Sequence, residues 1–283
     1  MSPASAAGAP KLAIIGGGVM GGTIAARVVE TGLLPAAQVV ISDPDAGIGS
    51  RLEARLGKGT APTAINDHVT AVQGASAVLL SVKPQVVPDV VAALRGHLNR
   101  EQLVISIAAG VELQTLRTGL DHAAIIRVMP NTPAQVGQSI SAWIATEAVS
   151  TAQKAEARGI LGAIGRELEV DREHYIDMVT AVSGSGPAWI MLMLEAMIDA
   201  GVQIGLRPDW ARELALQTMT GSAELMRETA MHPAQLRNMV TTPAGTTAAG
   251  LYAMEKGGLR SAIMSGIVAA YERCLELGAA ARK

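Results

Sequence analysis

The chain has 283 residues, a formal net charge of −2 and a positive mean hydropathy. Apolar residues make up 49% of it, but aromatic residues make up only 2% and Phe is absent. The core must therefore be built from Ala, Val, Leu, Ile and Met, which suits packed helices better than an all-β sandwich. The balanced charge excludes an extended basic face for nucleic acid, and the length allows two domains.

The remaining compositional features indicate a cytoplasmic protein. A single cysteine, Cys274, excludes an intrachain disulfide and fits a reducing compartment. Residues 1–10 contain neither a basic residue nor a long apolar run, so we expect a short tail and no signal peptide. The longest apolar stretch, residues 187–194, ends at Glu195 and is too short to span a membrane. We therefore expect a soluble protein that contacts no membrane.

A glycine-rich turn follows the first apolar run, residues 12–15. It carries a Gly-x-Gly-x-x-Gly pattern between a predicted strand and a predicted helix at residues 23–30. Glycine at these positions permits a tight turn and close approach of a pyrophosphate, which the helix N–H groups then face. The pattern predicts a dinucleotide site, and the alternative is a tight turn without a ligand. The residues expected at the diphosphate are Gly16, Gly18, Val19, Met20 and Gly21.

A second predicted strand, residues 39–41, ends at Ser42 and Asp43. In a dinucleotide-binding fold, the residue that reads the ribose lies about 20 residues after the last glycine of the turn. A carboxylate there accepts a hydrogen bond from the 2′-hydroxyl and repels a 2′-phosphate, so Asp43 favours NADH, whereas Ser42 suits either cofactor. The alternative is that Asp43, which precedes Pro44, only forms a turn.

Strand-like and helical runs then alternate, which predicts a mostly parallel sheet with helices on both faces. The strand-like runs are residues 77–82, 103–107 and 125–129, with edge strands at 139–145 and 167–170. The helical runs between them are residues 88–94, 112–120 and 151–161. Ligands bind beyond the carboxyl ends of such strands, so the turns at Lys83, Ala109 and Asn131 should line one cleft.

Beyond residue 170 the chain is helical. The predicted helices are residues 173–182, 187–200, 210–229, 234–240 and 259–276. We therefore predict a dinucleotide-binding α/β domain at residues 1–170 and an all-α domain at residues 171–283. Residues 187–200 are apolar nearly all round, and such a helix must be covered on every side. This favours a homodimer, and the alternative is a central helix wrapped by its own chain.

Two clusters of small and hydroxyl residues, 183–187 and 241–247, precede helices in the second half. A helix N-terminus offers unpaired N–H groups and a positive dipole end, which bind a carboxylate or phosphate without arginine. For residues 183–187, capping and close packing explain the pattern equally well. For residues 241–247, four hydroxyls and no charge exceed what one cap requires.

Acid–base groups are scarce in these clusters. The five histidines are scattered, and the chain has no Ser-His-Asp order, no His-Glu-x-x-His motif and no metal-ligand spacing. Hydride transfer to a ketone requires a proton donor such as Lys or His. A protonated imine carries its own proton, so a protein that reduces it need only orient it and hydrogen-bond its nitrogen.

The motifs together resemble the pyrroline-5-carboxylate reductases over residues 15 to about 278. The matching segments, in chain order, are residues 16–21, 81–85 (Ser-Val-Lys-Pro-Gln), 108–110 (Ala-Ala-Gly), 129–133 (Met-Pro-Asn-Thr-Pro), 183–187 (Ser-Gly-Ser-Gly-Pro), 240–247 (Val-Thr-Thr-Pro-Ala-Gly-Thr-Thr) and 257–260 (Gly-Gly-Leu-Arg). The resemblance implies a Rossmann domain followed by a helical domain that interlocks with a second subunit, in some members as rings of dimers. It also implies hydride transfer from NADPH or NADH to 1-pyrroline-5-carboxylate, which gives L-proline.

The resemblance also implies roles for single residues. Val82, Lys83 and Pro84 would lie along the cofactor, although Lys83 also reads as a solvated loop lysine. Ala109 and Asn131 would border the nicotinamide, and Asn131 would also contact the substrate. The loop residues that would bind the substrate carboxylate are Thr242, Gly245, Thr246 and Thr247. The hydroxyl of Thr247 would meet the ring nitrogen, so Thr247 is the expected catalytic side chain.

Departures from the family and rival families leave alternatives open. Members of the family commonly favour NADPH, which Asp43 disfavours, and His68 stands where the family usually has Asn near the adenosine. The β-hydroxyacid dehydrogenases have a similar two-domain plan, but their catalytic lysine corresponds to Ile190 here. A nucleotide-sensing protein with an inactive second site is the non-enzymatic alternative, and it predicts that Thr247 is dispensable.

Overall fold

The computed structural model describes residues 11–280, so the predicted tail, residues 1–10, lies outside the described range. The strands are β1 (Leu12–Ile15), β2 (Val39–Ser42), β3 (Thr63–Ile65), β4 (Ala77–Leu80), β5 (Leu103–Ser106), β6 (Ile125–Met129), β7 (Ser139–Ala145) and β8 (Gly165–Glu169). The helices are α1 (Val19–Glu30), α2 (Ile48–Leu56), α3 (His68–Val72), α4 (Val87–Leu94), α5 (Leu113–Leu120), α6 (Thr151–Ile164), α7 (His174–Val179), α8 (Gly186–Gln203), α9 (Pro208–Thr229), α10 (Pro233–Met239), α11 (Thr246–Lys256) and α12 (Leu259–Ala280).

The eight strands form one sheet in the order β3-β2-β1-β4-β5-β6-β7-β8. All neighbouring pairs are parallel except β6 and β7, which are antiparallel. The predicted mostly parallel sheet is therefore confirmed. Strand order reverses direction between β1 and β4, and Ile15 at the end of β1 is in register with Ser42 and Leu80. A crevice for a ligand lies beyond strand ends at such a reversal.

Alternate residues of the central strands face two separate cores. Leu12 and Ile14 of β1 pack with residues of α1 and α6, while Ala13 and Ile15 pack with residues of α3, α4 and α5. Side chains alternate between the two faces of a strand, so a run buried on both sides must be apolar throughout. This explains why β1 contains no polar residue and why helices cover both faces of the sheet.

The sequence pattern gave no range for α11, which it predicted only as a helix after residues 241–247, and it did not predict α2, β3 and α3. They are short, and the first two offer few apolar positions: α2 buries only Ile48 and Leu52, and β3 is largely exposed. Pattern analysis depends on long, regular apolar spacing, which these segments lack. The prediction that residues 139–145 form an edge strand is wrong, because β7 lies between β6 and β8 and the edges are β3 and β8.

The described residues divide into two compact units, one of residues 11–184 with 271–280 and one of residues 185–270. This division differs from the boundary predicted at residue 170, because α7 packs against β6 and β7. The end of α12 also belongs to the unit that contains the sheet. The functional boundary at residue 170 stays a prediction.

The second unit is helical, and α8 packs against α9 within it. Gly201 and Ala211 are buried at this contact, and a Cβ atom on Gly201 would lie 3.0 Å from the Cβ of Ala211. Much of α8 is nevertheless uncovered, since Met191 and Leu192 are 63% and 64% exposed. The alternative in which the chain wraps its own apolar helix is therefore wrong.

One helical stretch is longer than the apolar run of residues 187–194. His174–Gln203 is 30 residues long and, by length and composition alone, is apolar enough to cross a bilayer. Only 6% of its most apolar window is buried within the chain. The expectation drawn from residues 187–194 counted an uninterrupted apolar run, whereas the helix continues through isolated charges. The stretch therefore leaves a long apolar surface exposed within one chain.

Candidate active site

The glycine-rich turn is packed against the end of β4. Gly16 has a φ of +99°, and a Cβ atom there would lie 2.6 Å from the carbonyl oxygen of Ser81 and 2.9 Å from Cγ1 of Val82. A Cβ atom on Gly21 would collide with the carbonyl oxygen of Gly16, whereas a Cβ atom on Gly18 would meet nothing within 4 Å. Gly16 and Gly21 therefore allow tight packing, and the backbone at Gly18 faces open space.

The start of α1 fits a diphosphate. The first N–H groups of a helix have no intrahelical partner, and here no side chain caps them and no acidic residue lies in the first turn. They are therefore available to an anion. Beside the turn, Oγ of Ser81 is buried and makes no hydrogen bond, and it would lie 2.9 Å from a Cβ atom on Gly21. Unpaired donors and an unpaired hydroxyl at a positive helix end form a site suited to a dinucleotide.

Asp43 is held by the backbone. Its Oδ2 accepts a hydrogen bond from the N–H of Gly17 at 2.7 Å, and its Oδ1 accepts one from the N–H of Asp45 at 2.8 Å. The carboxylate thus joins the glycine turn to the end of β2. Each oxygen retains a second lone pair, so the predicted contact with a ribose hydroxyl is compatible with this geometry.

Ser42 is fully buried, and its Oγ lies 2.8 Å from Nδ1 of His68, the first residue of α3. This bond connects the end of β2 to the start of α3. The sequence placed Ser42 near the ribose by its distance from the glycine turn, and His68 near the adenosine only through the resemblance. The bond between them required the fold, because 26 residues separate the two side chains.

Lys83 and Ala109 lie in the turns after β4 and β5, and both are exposed. Lys83 precedes the short helical turn Pro84–Val86 and forms no ion pair with any residue in the described part of the chain. Pro84 and Ala109 also line a cavity of about 430 Å³. The cavity lining that sequence reasoning missed is Asp177, Thr180, Cys274 and Leu277. No local motif marks these residues: Asp177 lies in α7, Thr180 directly follows α7, and Cys274 and Leu277 lie in α12.

Asn131 connects three segments at the carboxyl end of β6. Its Oδ1 accepts hydrogen bonds from the N–H of Ile140 at 3.1 Å and from Oγ of Ser139 at 3.0 Å. Its Nδ2 donates to the carbonyl oxygen of Ser183 at 3.2 Å. The buried amide is therefore largely engaged within the chain, and one N–H of Nδ2 remains for the ligand contact that the resemblance implies.

Arg127 forms a buried ionic cluster that the sequence did not reveal. Its side chain is 3% exposed, with Nη1 3.1 Å from Oε1 of Glu173 and Nη2 2.7 Å from Oδ1 of Asp177. The same Glu173 oxygen accepts a hydrogen bond from the N–H of Leu113 at 2.7 Å. The cluster fastens α7 to β6 and to the start of α5. In the sequence, Arg127 is one polar residue within a strand.

The second predicted cluster, residues 241–247, lies in the helical unit and leads into α11. Ala244 has a φ of +58°, and the N–H of Gly245 donates to the carbonyl oxygen of Thr242 at 3.0 Å. Gly245 is the N-cap of α11, and no side chain caps this helix or places an acid in its first turn. The first N–H groups of α11 are thus available to an anion.

The threonines of this loop differ in their partners. Oγ1 of Thr241 donates to the carbonyl oxygen of Arg237 at 2.7 Å. By contrast, the hydroxyls of Thr242, Thr246 and Thr247 make no hydrogen bond to any group in residues 11–280. Thr247 is half-buried, while Thr242 and Thr246 are exposed. Three free hydroxyls therefore surround a helix N-terminus with free N–H groups.

Cys274 should react slowly with alkylating reagents. Burial raises the pKa of its thiol above the ordinary range of a cysteine, and the nearby Asp177 carboxylate raises it further, against the opposing charge of Arg127. Less thiolate is then present at neutral pH, and the thiolate is the reacting form. At pH 7.5 we expect iodoacetamide to label the folded protein several-fold more slowly than the urea-unfolded chain, with the rate rising as the pH rises. Mass spectrometry measures both rates, and equal rates would contradict the prediction.

Comparison with known families and proteins adds to this geometry. Residues 173–277 match the family model "Pyrroline-5-carboxylate reductase dimerisation", and residues 11–110 match "NADP oxidoreductase coenzyme F420-dependent". A pyrroline-5-carboxylate reductase of Synechocystis is 45% identical over 268 residues, which is 95% of this chain and 98% of that protein. The predicted α/β domain followed by an all-helical dimer-forming domain is confirmed.

Two solved structures agree with this result. The pyrroline-5-carboxylate reductase of Coxiella burnetii aligns with a TM-score of 0.86 at 33% identity, covering 95% of this chain and 99% of that one. The pyrroline carboxylate reductase of Plasmodium falciparum, solved with NADP bound, aligns with a TM-score of 0.85 at 28% identity, covering 95% and 98%.

The dimerisation model spans the whole of the long apolar helical stretch, so this stretch belongs to the region through which the chain forms a homodimer. Identity of 45% over nearly the full length of both proteins, the matching fold and the dimerisation region lead to one conclusion. The chain belongs to the pyrroline-5-carboxylate reductase family.

Proposed function

We propose that this chain transfers a hydride from a reduced nicotinamide dinucleotide to the imine carbon of 1-pyrroline-5-carboxylate and so forms L-proline. The observation that carries the proposal is the start of α11, where free N–H groups and the free hydroxyls of Thr242, Thr246 and Thr247 meet in a loop, residues 241–247, that has no charged side chain. Such a site binds a carboxylate and orients a ring that carries its own proton.

We assign the cofactor to the crevice beyond the carboxyl ends of the strands. The N-terminus of α1 holds the diphosphate through the N–H groups of Val19, Met20 and Gly21, and Gly18 leaves room for it. Asp43 and Ser42 lie at the end of β2, where the adenosine ribose is read. The charge of Lys83 is free to approach the phosphates because no described carboxylate pairs with it. NADPH and NADH both remain candidates.

The cofactor supplies the hydride when it is bound. The chain's own residues then have three tasks: the N–H groups after Gly245 hold the carboxylate, the Thr247 hydroxyl hydrogen-bonds the ring nitrogen, and Ala109 borders the nicotinamide. The imine nitrogen enters protonated and leaves as a neutral amine, so no side chain must donate a proton during hydride transfer. This explains why the site functions without a histidine or lysine acid.

We further propose that the protein is cytoplasmic, because a single cysteine fits a reducing compartment. We also propose that the dimers assemble into a ring. Several apolar side chains of α11 and α12 are exposed within one chain, including Tyr252, Met264 and Val268. Light scattering tests the ring, which predicts a mass that is an even multiple of 29.1 kDa and larger than one dimer.

One assay tests the proposed reaction. Purified protein is mixed with NADH or NADPH, and the loss of reduced-nicotinamide absorbance is followed after 1-pyrroline-5-carboxylate is added. We expect oxidation with at least one cofactor and formation of an equimolar amount of proline. A β-hydroxyacid such as 3-hydroxyisobutyrate with the oxidised cofactors serves as the control for the rival dehydrogenases. No oxidation with either reduced cofactor would contradict the proposal.

A further inference from the structure

Two buried hydroxyls in the described chain lack any hydrogen-bond partner: Oγ of Ser81 and Oγ of Ser183. Buried polar atoms in native proteins are nearly always paired, so each exception calls for an explanation such as a ligand or a bound water. Ser81 lies beside the glycine turn, where the diphosphate is proposed to bind. The proposed cofactor site thus explains the unpaired hydroxyl of Ser81, whereas the unpaired hydroxyl of Ser183 needs a separate explanation.

Ser183 lies in an unusual stretch of helix. Residues Thr180–Gly184 form a π-helical turn between α7 and α8. Such turns are rare and occur frequently at functional sites. The turn is anchored on one side, where Ala181 is buried, and open on the other, where Val182 is exposed. Ser183 itself is half-exposed although its Oγ is covered. Rotation about χ1 can therefore bring the hydroxyl to a ligand.

The turn is fastened to the carboxyl end of β6. The carbonyl oxygen of Ser183 accepts a hydrogen bond from Nδ2 of Asn131 at 3.2 Å. A Cβ atom on Gly184 would lie 2.7 Å from Cε of Met129, the last residue of β6, so the backbones approach closely there. All of these residues belong to the same compact unit as the glycine turn. Ser183 therefore lies beside the carboxyl ends of the strands, where the cofactor is proposed to bind.

Sheet order indicates which end of the cofactor Ser183 meets. The glycine turn follows β1, the ribose-reading position follows β2 on one side of it, and β4, β5 and β6 extend on the other side. A dinucleotide with its diphosphate over β1 and its adenosine over β2 must extend its nicotinamide toward β5 and β6. Ser183 lies beside β6, far from the adenosine end in strand order.

We propose that Ser183 is a cofactor-binding residue whose hydroxyl hydrogen-bonds the carboxamide of the nicotinamide, and that Asn131 positions it. This rests on the proposed dinucleotide site. A carboxamide offers both a donor and an acceptor, and a serine hydroxyl serves as either partner. The substrate carboxylate is less suitable, because the free N–H groups at the start of α11 are already proposed to bind it. Cofactor binding then satisfies a hydroxyl that the free chain leaves unpaired.

The proposal predicts opposite effects of one substitution on the free and bound protein. In Ser183→Ala the unpaired buried oxygen disappears, so the Tm of the free protein should rise by about 2 °C. The same change removes the bond to the carboxamide, so the Kd for the preferred reduced cofactor should increase about fivefold to tenfold. The KM for 1-pyrroline-5-carboxylate should change by less than about twofold.

A truncated ligand locates the contact. ADP-ribose, or its 2′-phosphate if NADPH is preferred, lacks the nicotinamide and should bind wild type and Ser183→Ala equally by calorimetry. Ser185→Ala is the matched control, since Ser185 caps no helix N–H group and is a neighbouring serine. Ser183→Cys preserves the shape with a weaker donor, and it keeps the test valid if the alanine variant does not fold. Its loss of cofactor affinity should be smaller.

The role of Asn131 is tested with Ser183 in a double-mutant cycle. Asn131→Asp keeps the acceptor for Ile140 and removes the donor to Ser183. It should weaken binding of the full cofactor but not of ADP-ribose, and its effect should largely disappear in the Ser183→Ala background. A structural role alone would weaken both ligands in both backgrounds.

Two results would overturn the proposal. Equal losses of affinity for the full cofactor and ADP-ribose would show that Ser183 only supports the fold, and unchanged affinity for the full cofactor would assign the hydroxyl to a bound water. All of these measurements are of binding. A protein that bound the cofactor through Ser183 but did not reduce the imine would refute the proposed function and leave this inference standing.

Discussion

Replacing Thr247 by Ala is expected to lower kcat about 100-fold while cofactor affinity stays within about twofold of wild type. The hydroxyl of Thr247 is free within the described chain and lies at the first turn of α11, where it is proposed to hydrogen-bond the ring nitrogen. Loss of one such donor or acceptor beside a reacting group typically costs two to three orders of magnitude in rate. Stopped-flow and steady-state kinetics with the preferred cofactor measure the effect.

Two variants control this experiment. Thr247→Ser retains the hydroxyl and should recover most of the rate, which a loss of packing at the methyl group would not allow. Thr115→Ala changes an exposed threonine of α5 that makes no hydrogen bond in the described chain, and it should leave kcat unchanged. If Thr247→Ala retained full turnover, the ring nitrogen would have another hydrogen-bond partner and Thr247 would not be the catalytic side chain.

Replacing Arg127 by Met is expected to destabilise the fold by about 3 kcal/mol, because breaking a buried ion pair from one side leaves its partners without compensation. Arg127 is almost completely buried and pairs with Glu173 and Asp177, which are 30% and 19% exposed. Their partial exposure places the loss at the lower end of the range for buried pairs. For a domain of this size the Tm should fall by roughly 6–12 °C at equal protein concentration.

Arg158 provides the matched control for Arg127. It also contacts two carboxylates, Glu167 and Glu169, but its side chain is 50% exposed. Water screens exposed ion pairs, so Arg158→Met should cost less than about 1 kcal/mol. Calorimetric scans of the two variants, both with the wild-type oligomeric state by light scattering, give the comparison. Similar losses in the two would show that burial does not set the strength of the Arg127 cluster.

Local patterns in the sequence determined the parts of the fold that depend on neighbours in the chain. The glycine turn, the apolar strands, the long helices and the free N-terminus of α11 are all specified by residues a few positions apart, and the family motifs followed the same segments. Alternation of strands and helices permits few topologies, so the parallel sheet was predictable. The short elements α2, β3 and α3 were not, because they carry too few apolar residues to form a pattern.

The sequence also indicated that α8 needs covering, and α8 lies within the region that matches the dimerisation family. In the sequence, residues 187–194 form a separate short apolar run, whereas in the structure they belong to a continuous helical stretch of 30 residues. The reason is physical: helix length depends on backbone continuity through α7, the π-helical turn and α8, and isolated charges do not end a helix.

Only the tertiary structure decided how the polar side chains are used. Arg127 meets Glu173 and Asp177 across 46 and 50 residues, and Asn131 meets Ser183 across 52. A buried hydrogen bond depends on which distant group arrives within about 3 Å, and that distance is set when helices and sheet pack together. Composition and motif order by themselves determined what kind of site this chain builds; packing decided which of its polar atoms support the site and which remain free for a ligand.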